Sequence, residues 1–167
     1  MTVAVMLGGI ALDKHAGAPE QAEQPIGGSR VLRMSDGAAV KQTHWQKTSG
    51  TLAGRGVYPA GLDGLDYSNP LELRVTQVMS MQSAGLVFVL PSTPRPDRAP
   101  WSLARVDGQW RRTPCALNAE TNTVTVTAVA GADQYRVDWM PVYSVMAERP
   151  ARSQNGSFDW SVPWEEV

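Results

Sequence analysis

Cysteine is almost missing, since Cys115 is the only one among 167 residues. An intrachain disulfide is therefore excluded, and so is a zinc or iron–sulfur site built on several thiolates. Histidine is nearly as scarce. His15 follows Asp13 in a polar stretch, His44 adjoins Trp45, and neither has a second His or carboxylate at a metal-ligand spacing. They read as one solvated loop residue and one half-buried strand residue. Charge of one sign is also lacking. Fifteen Lys and Arg stand against sixteen Asp and Glu, for a net charge of −1. That balance removes any global electrostatic case for a nucleic acid or an anionic membrane surface. No run of about twenty apolar residues occurs, so no transmembrane helix is expected. The apolar opening, residues 1–7, has no basic flank and is interrupted by Gly8-Gly9, which makes it a poor signal peptide. Neither Gly8-Gly9 nor Gly27-Gly28 leads into the Lys-Ser/Thr and helix of a phosphate loop. Internal repeats and convincing amphipathic helices are absent too.

What the chain does contain is strand signal, punctuated by 15 Gly and 12 Pro. Residues 2–7 read as a short strand and residues 14–28 as a polar loop or arm. Residues 30–34 and 38–46 flank Ser35-Asp36-Gly37, and an Asp-Gly step between β-type runs favours a hairpin because Gly tolerates positive φ. A third run covers 48–52. The turn-forming stretch 56–70 is the candidate junction between two halves. Residues 71–79 alternate with period two, which suits a half-buried strand. The continuous apolar run 85–90 suits a strand buried on both faces. Asp107-Gly108 marks a second hairpin, between 102–106 and 109–115. In 121–129, Val124, Val126 and Ala128 share one face. In 134–145, Tyr135, Val137 and Trp139 share a face until Pro141 breaks the ladder. From 148 onward the composition turns polar. The expected architecture is all-β, a β-sandwich or split barrel with extended arm and tail segments. It comprises one β-rich domain over 1–150, with an arm at 13–29 and a C-terminal tail at 151–167.

Few residues suggest chemistry. Cys115 has Arg111 and Arg112 before it but no base beside it, so a structural thiol is expected rather than a nucleophile. Asp63 and Asp66 lie in Gly61-Leu62-Asp63-Gly64-Leu65-Asp66-Tyr67, which is too few oxygens for a calcium loop. Asp in turns commonly bonds its own backbone. Arg95, Arg98, Arg105, Arg111 and Arg112 cluster around Trp101 and Trp110, a pairing better suited to a subunit interface than to nucleic acid. Six Trp against two Phe is an unusual balance. Phe158, Trp160 and Trp164 sit in a polar tail with no core of its own, so they dock either on the parent domain or on a neighbouring subunit. The interface candidates are Trp101, Arg111, Arg112, Phe158, Trp160 and Trp164, and no catalytic, cofactor-binding or metal residues are assigned.

Several stretches carry a family resemblance. Val5-Met6-Leu7-Gly8-Gly9-Ile10-Ala11-Leu12, the polar arm after it, and the run Arg30-Val31-Leu32-Arg33-Met34-Ser35-Asp36-Gly37-Ala38-Ala39-Val40-Lys41-Gln42 resemble the opening and first core hairpin of small bacteriophage tail proteins of the distal-tail or baseplate-ring type. Residues 61–67 and Ala130-Gly131-Ala132-Asp133-Gln134-Tyr135-Arg136-Val137-Asp138-Trp139-Met140-Pro141 resemble short tail-cluster proteins of long-tailed phages. The resemblance implies a structural virion protein, made in the host cytoplasm, that assembles as a ring, commonly a hexamer. Such a ring joins the tail tube to the hub and the fibres. It implies no catalytic residues and no cofactor. Its partners would be copies of itself and other tail proteins, without a membrane or specific nucleic acid.

Three function classes follow in order. The first is the ring-forming virion component, with another connector or minor capsid role as its variant. The second is a monomeric ligand- or glycan-binding β-sandwich that uses exposed aromatics as platforms. The third is an enzyme centred on Asp63 and Asp66.

Overall fold

Residues 3–167 are described by a computed structural model. Among the described residues the chain is all-β apart from one 3₁₀ turn at Lys14–Ala16. The strands are β1 (Met6–Leu7), β2 (Ile10–Ala11), β3 (Glu20–Arg33), β4 (Ala39–Gly56), β5 (Leu71–Arg74), β6 (Met79–Ser83), β7 (Val87–Val89), β8 (Trp101–Val106), β9 (Gln109–Thr113), β10 (Cys115–Asn118), β11 (Thr123–Val126), β12 (Ala132–Trp139), β13 (Val142–Ala147), β14 (Ala151–Gln154) and β15 (Phe158–Glu166). By contact the chain divides into two compact units. One takes residues 3–6 with Leu73–Tyr143, the other Leu7–Glu72 with Ser144–Val167. The expected junction at 56–70 is a run of turns, and the division itself falls just beyond it.

The unit centred on Leu73–Tyr143 is a two-layer sandwich. A four-stranded sheet in the order β6-β12-β8-β9 and a three-stranded sheet β10-β11-β7 share one core of Phe88, Leu90, Ala104, Val124, Val126, Tyr135, Val137 and Trp139. The period-two pattern of β11 and β12 supplies most of it, while Ala128, expected on the face of Val124 and Val126, lies beyond the end of β11 and is exposed. The β8–β9 hairpin turns on Asp107 and Gly108, both at positive φ (52° and 75°), the geometry that a two-residue turn needs. Residues 85–90 correct the expectation of burial on both faces. Phe88 is buried, but Val87 and Val89 are exposed, because β7 is the edge of a small sheet with a core on one side only. The strand expected over 71–79 stops at Arg74, and a separate strand, β6, begins at Met79.

Arg95, one of the proposed surface cluster, is the largest surprise in this unit, at 1 % exposure. Its guanidinium donates to Val75 O (2.9 Å), to Ala4 O (2.9 Å) and in two bonds to the Asp97 carboxylate (2.7 and 2.8 Å). Every face of the fork is occupied, which is how a buried cation is tolerated.

The second unit is built on one sheet in the order β2-β1-β5-β13-β15-β4-β3, with β14 added along β15. Strands β1, β5 and β13 straddle the division. The open strand orders show that no barrel closes among the described residues. Residues 151–167, expected as an extended tail, instead form β14 and β15. β15 lies inside the sheet, pairing with β4 on one edge and with β13 and β14 on the other. The reason is a size match across strands. Trp160, Val162 and Trp164 stand opposite Gly54, Leu52 and Gly50. A Cβ on Gly54 would lie 2.6 Å from Trp160 Cζ2, and one on Gly50 would lie 2.7 Å from Trp164 Cζ2. Each glycine thus leaves the space that an indole fills. Trp160 Nε1 donates to Ala16 O at 2.8 Å, which satisfies the one polar atom of a buried ring. Pro163, which has no N–H to donate, stands at the step where the edge partner changes from β13 to β14, and its carbonyl accepts from Glu148 N (3.0 Å).

Candidate functional site

The hairpin expected around Ser35-Asp36-Gly37 is present and much longer than its sequence signals. Met34 N donates to Ala38 O (2.9 Å) and Gly37 N to Met34 O (2.9 Å), with Gly37 at φ 84°. The polar arm expected at 13–29 is a strand from Glu20 onward, paired with β4 down to Arg33. β15 borders β4 only along residues 49–56. Residues 39–48, with the facing part of β3, therefore run on as a ribbon with no third strand. At about 3.3 Å per residue, ten residues give a projection of roughly 33 Å.

This ribbon has no core. Val31 (59 % exposed), Met34 (57 %), Val40 (43 %) and Trp45 (52 %) all stand in solvent. Cross-strand partners share a face, so Leu32 with Val40 lies on one side of the ribbon and Val31 with Lys41 on the other. Between Gly27 and Ser29 the register shifts by a bulge. A Cβ on Gly28 would meet Trp45 Nε1 at 2.9 Å, so the exposed indole covers a glycine backbone. The ribbon is also basic. Residues 25–46 carry Arg30, Arg33 and Lys41 against one acid, Asp36, whose Oδ1 accepts from Ala38 N (3.0 Å) at the tip. At the root Lys47 Nζ donates to Val167 O (2.7 Å) and Thr48 N to Glu166 Oε2 (2.9 Å).

Beside that root lies a trough of about 660 Å³ across β3, β4, β15 and β13. Its lining includes Glu23, Ser49, Met146, Glu148, Pro163 and Glu165, and no Lys or Arg. Glu148, Glu165 and Met146 are exposed along its length, with Met146 paired across from Glu165. Ser49 is buried with no hydrogen-bond partner for its Oγ.

The other candidates fall elsewhere. Trp101 is half-buried at the start of β8 with the Arg98 guanidinium 5.4 Å from its ring centre, and Arg111 and Arg112 are exposed on the edge strand β9. Phe158 is half-buried beside a second hollow of about 350 Å³ that Asp63, Arg152 and Trp160 also line. Trp160 and Trp164 are corrected from interface anchors to core residues, at 4 % and 2 % exposure. Asp63 and Asp66 do not converge. Asp63 Oδ2 accepts from Arg152 Nη1 at 2.7 Å, while Asp66 accepts from Ser68 N (3.0 Å) and Asn69 Nδ2 (2.7 Å). The bonds from Ser68 and Asn69 hold the Asp66 carboxyl below its usual range. His44, expected half-buried, is exposed on the ribbon. Cys115 is half-buried in β10 with its Sγ 3.7 Å from Pro100 O. Among the described residues no group of three or more His, Cys, Asp or Glu could hold a metal ion, and no helix is long and apolar enough to cross a membrane. The length of the ribbon is not legible because the Gln, Glu, Pro and Gly-Gly of residues 20–28 read as a polar arm, and because 38–46 and 48–52 read as two runs rather than one strand. No protein-family model matches the chain, and a search of curated proteins returns no match.

Proposed function

We propose that this protein is a structural subunit of a bacteriophage tail tip or baseplate, assembled from copies of itself as a ring that joins the tail tube to the hub and fibres. The observation that carries the reading is the ribbon beyond Lys47. A two-stranded hairpin is marginal alone in water, and this one leaves Val31, Met34, Val40 and Trp45 uncovered on both faces. Such an element gains its stability on a neighbouring molecule. A second, different surface at its root gives the pair of patches that head-to-tail closure requires. A virion as the setting for that assembly is supported by the resemblance of residues 5–12, 30–42, 61–67 and 130–141 to tail proteins of long-tailed phages.

The test is the mass of the purified chain in solution, followed by electron microscopy of the particles. A closed ring, with six copies as the expected number, supports the reading. A monomer at every concentration tried overturns it.

A further inference from the structure

We infer that the basic ribbon of one copy lies in the acidic trough of the next, with Arg33 and Lys41, which share a face of the ribbon with Val31, meeting Glu148 and Glu165. This rests on the assembly reading above and names the contact that would build it. Three observations point to a second copy of this chain as the occupant. The ribbon carries Arg30, Arg33 and Lys41 with a single acid, and that acid is engaged at the tip. The trough is lined by the exposed Glu148 and Glu165 and by no Lys or Arg, so the two surfaces are opposite in sign although the whole chain is close to neutral. Each also carries apolar groups in solvent, Val31, Val40 and Trp45 on the ribbon and Met146 in the trough. A charged partner of another kind would need to match only one of these surfaces. A second copy matches both at once.

The geometry suits repetition. Ribbon and trough share one root in β3 and β4, so a copy that receives a ribbon in its trough sends its own ribbon onward. The two patches are different, so a contact made in one direction only is heterologous and leads to a ring or a filament. Opposed charge at an interface sets register and speeds encounter, and it weakens with salt.

The experiment reverses each side separately. The variants are Arg33→Glu with Lys41→Glu, and Glu148→Lys with Glu165→Lys. All four side chains are exposed, so folding is retained, and circular dichroism checks this. Sedimentation of wild type at low salt is expected to show self-association, and each double variant is expected to weaken it at least tenfold. Mixing the two variants is expected to restore assembly, because an acidic ribbon then meets a basic trough and a basic ribbon meets an acidic one. An assembled wild type that neither variant weakens overturns the ribbon-in-trough contact and leaves the assembly reading standing. Loss of assembly in both variants without rescue on mixing also overturns the pairing. A wild type that stays monomeric overturns both.

Discussion

Single residues show where composition misleads. Arg95 sits in a proline-rich stretch among other arginines, and nothing local distinguishes it from them. Its burial is set by Ala4 O and Val75 O, which lie far from it in sequence. Arg95→Leu would strand two carbonyls and one carboxylate, and is expected to cost about 3 kcal/mol in urea unfolding. Asp97→Asn should cost less, about 2 kcal/mol, since Asp97 is 39 % exposed but its loss leaves the buried Arg95 without its counter-charge. Equal losses from the two would show that the fork is not held as described. Gly54 gives a second comparison. An Ala there meets three atoms of the Trp160 indole within 2.9 Å, and the ring is pinned by its bond to Ala16 O. Overpacking of about 1–3 kcal/mol is expected. Gly64→Ala, with nothing within 4 Å and no positive φ, should change stability by less than about 0.5 kcal/mol.

At the scale of elements, local signals were legible and long-range ones were not. Ser35-Asp36-Gly37 and Asp107-Gly108 announce their turns because a tight hairpin demands positive φ from those few residues. The core faces of β11 and β12 follow from alternation alone. β15 was hidden because its partner β4 lies over a hundred residues away, and because Pro163 and the acids 165–166 give the stretch a polar cast. Its alternation of Trp160, Val162 and Trp164 is visible, but the small residues that receive those rings, Gly50 and Gly54, take on meaning only once the pairing is known. The ribbon was half-legible for the opposite reason, since its turn is clear while nothing in the sequence says that β15 stops short at Ser49. The ribbon should be separable from the fold. Replacing residues 28–45 with Asn-Gly closes the hairpin between Gly27 and Gln46, which already face each other. Little apolar surface is buried out there, so Tm is expected to move by less than about 4 °C while self-association is lost. A shortened chain that fails to fold would mean that the ribbon is part of the core. For the intact chain, trypsin should cut first at Arg30, Arg33 and Lys41, and assembly should slow that cleavage.

For the molecule as a whole, acid is the sharpest probe of the described ion pairs. Asp97 is held below the usual carboxylate range by its bonds to Arg95, Asp133 by its paired bonds to Arg105, and Asp66 by Ser68 N and Asn69. Each folded-state value lies below the ordinary 3.8, so the unfolded chain binds the proton more readily. The stabilisation from these groups is therefore complete above about pH 4 and disappears as pH falls through their folded values. Thermal melts should stay level from pH 8 to about pH 5 and then drop steeply below pH 4. Asp97→Asn should flatten part of that drop, since it removes the depressed carboxylate that Arg95 holds. A melt that declines between pH 7 and pH 5 instead would point to a titrating group outside these pairs and would contradict the assignment of acid sensitivity to them.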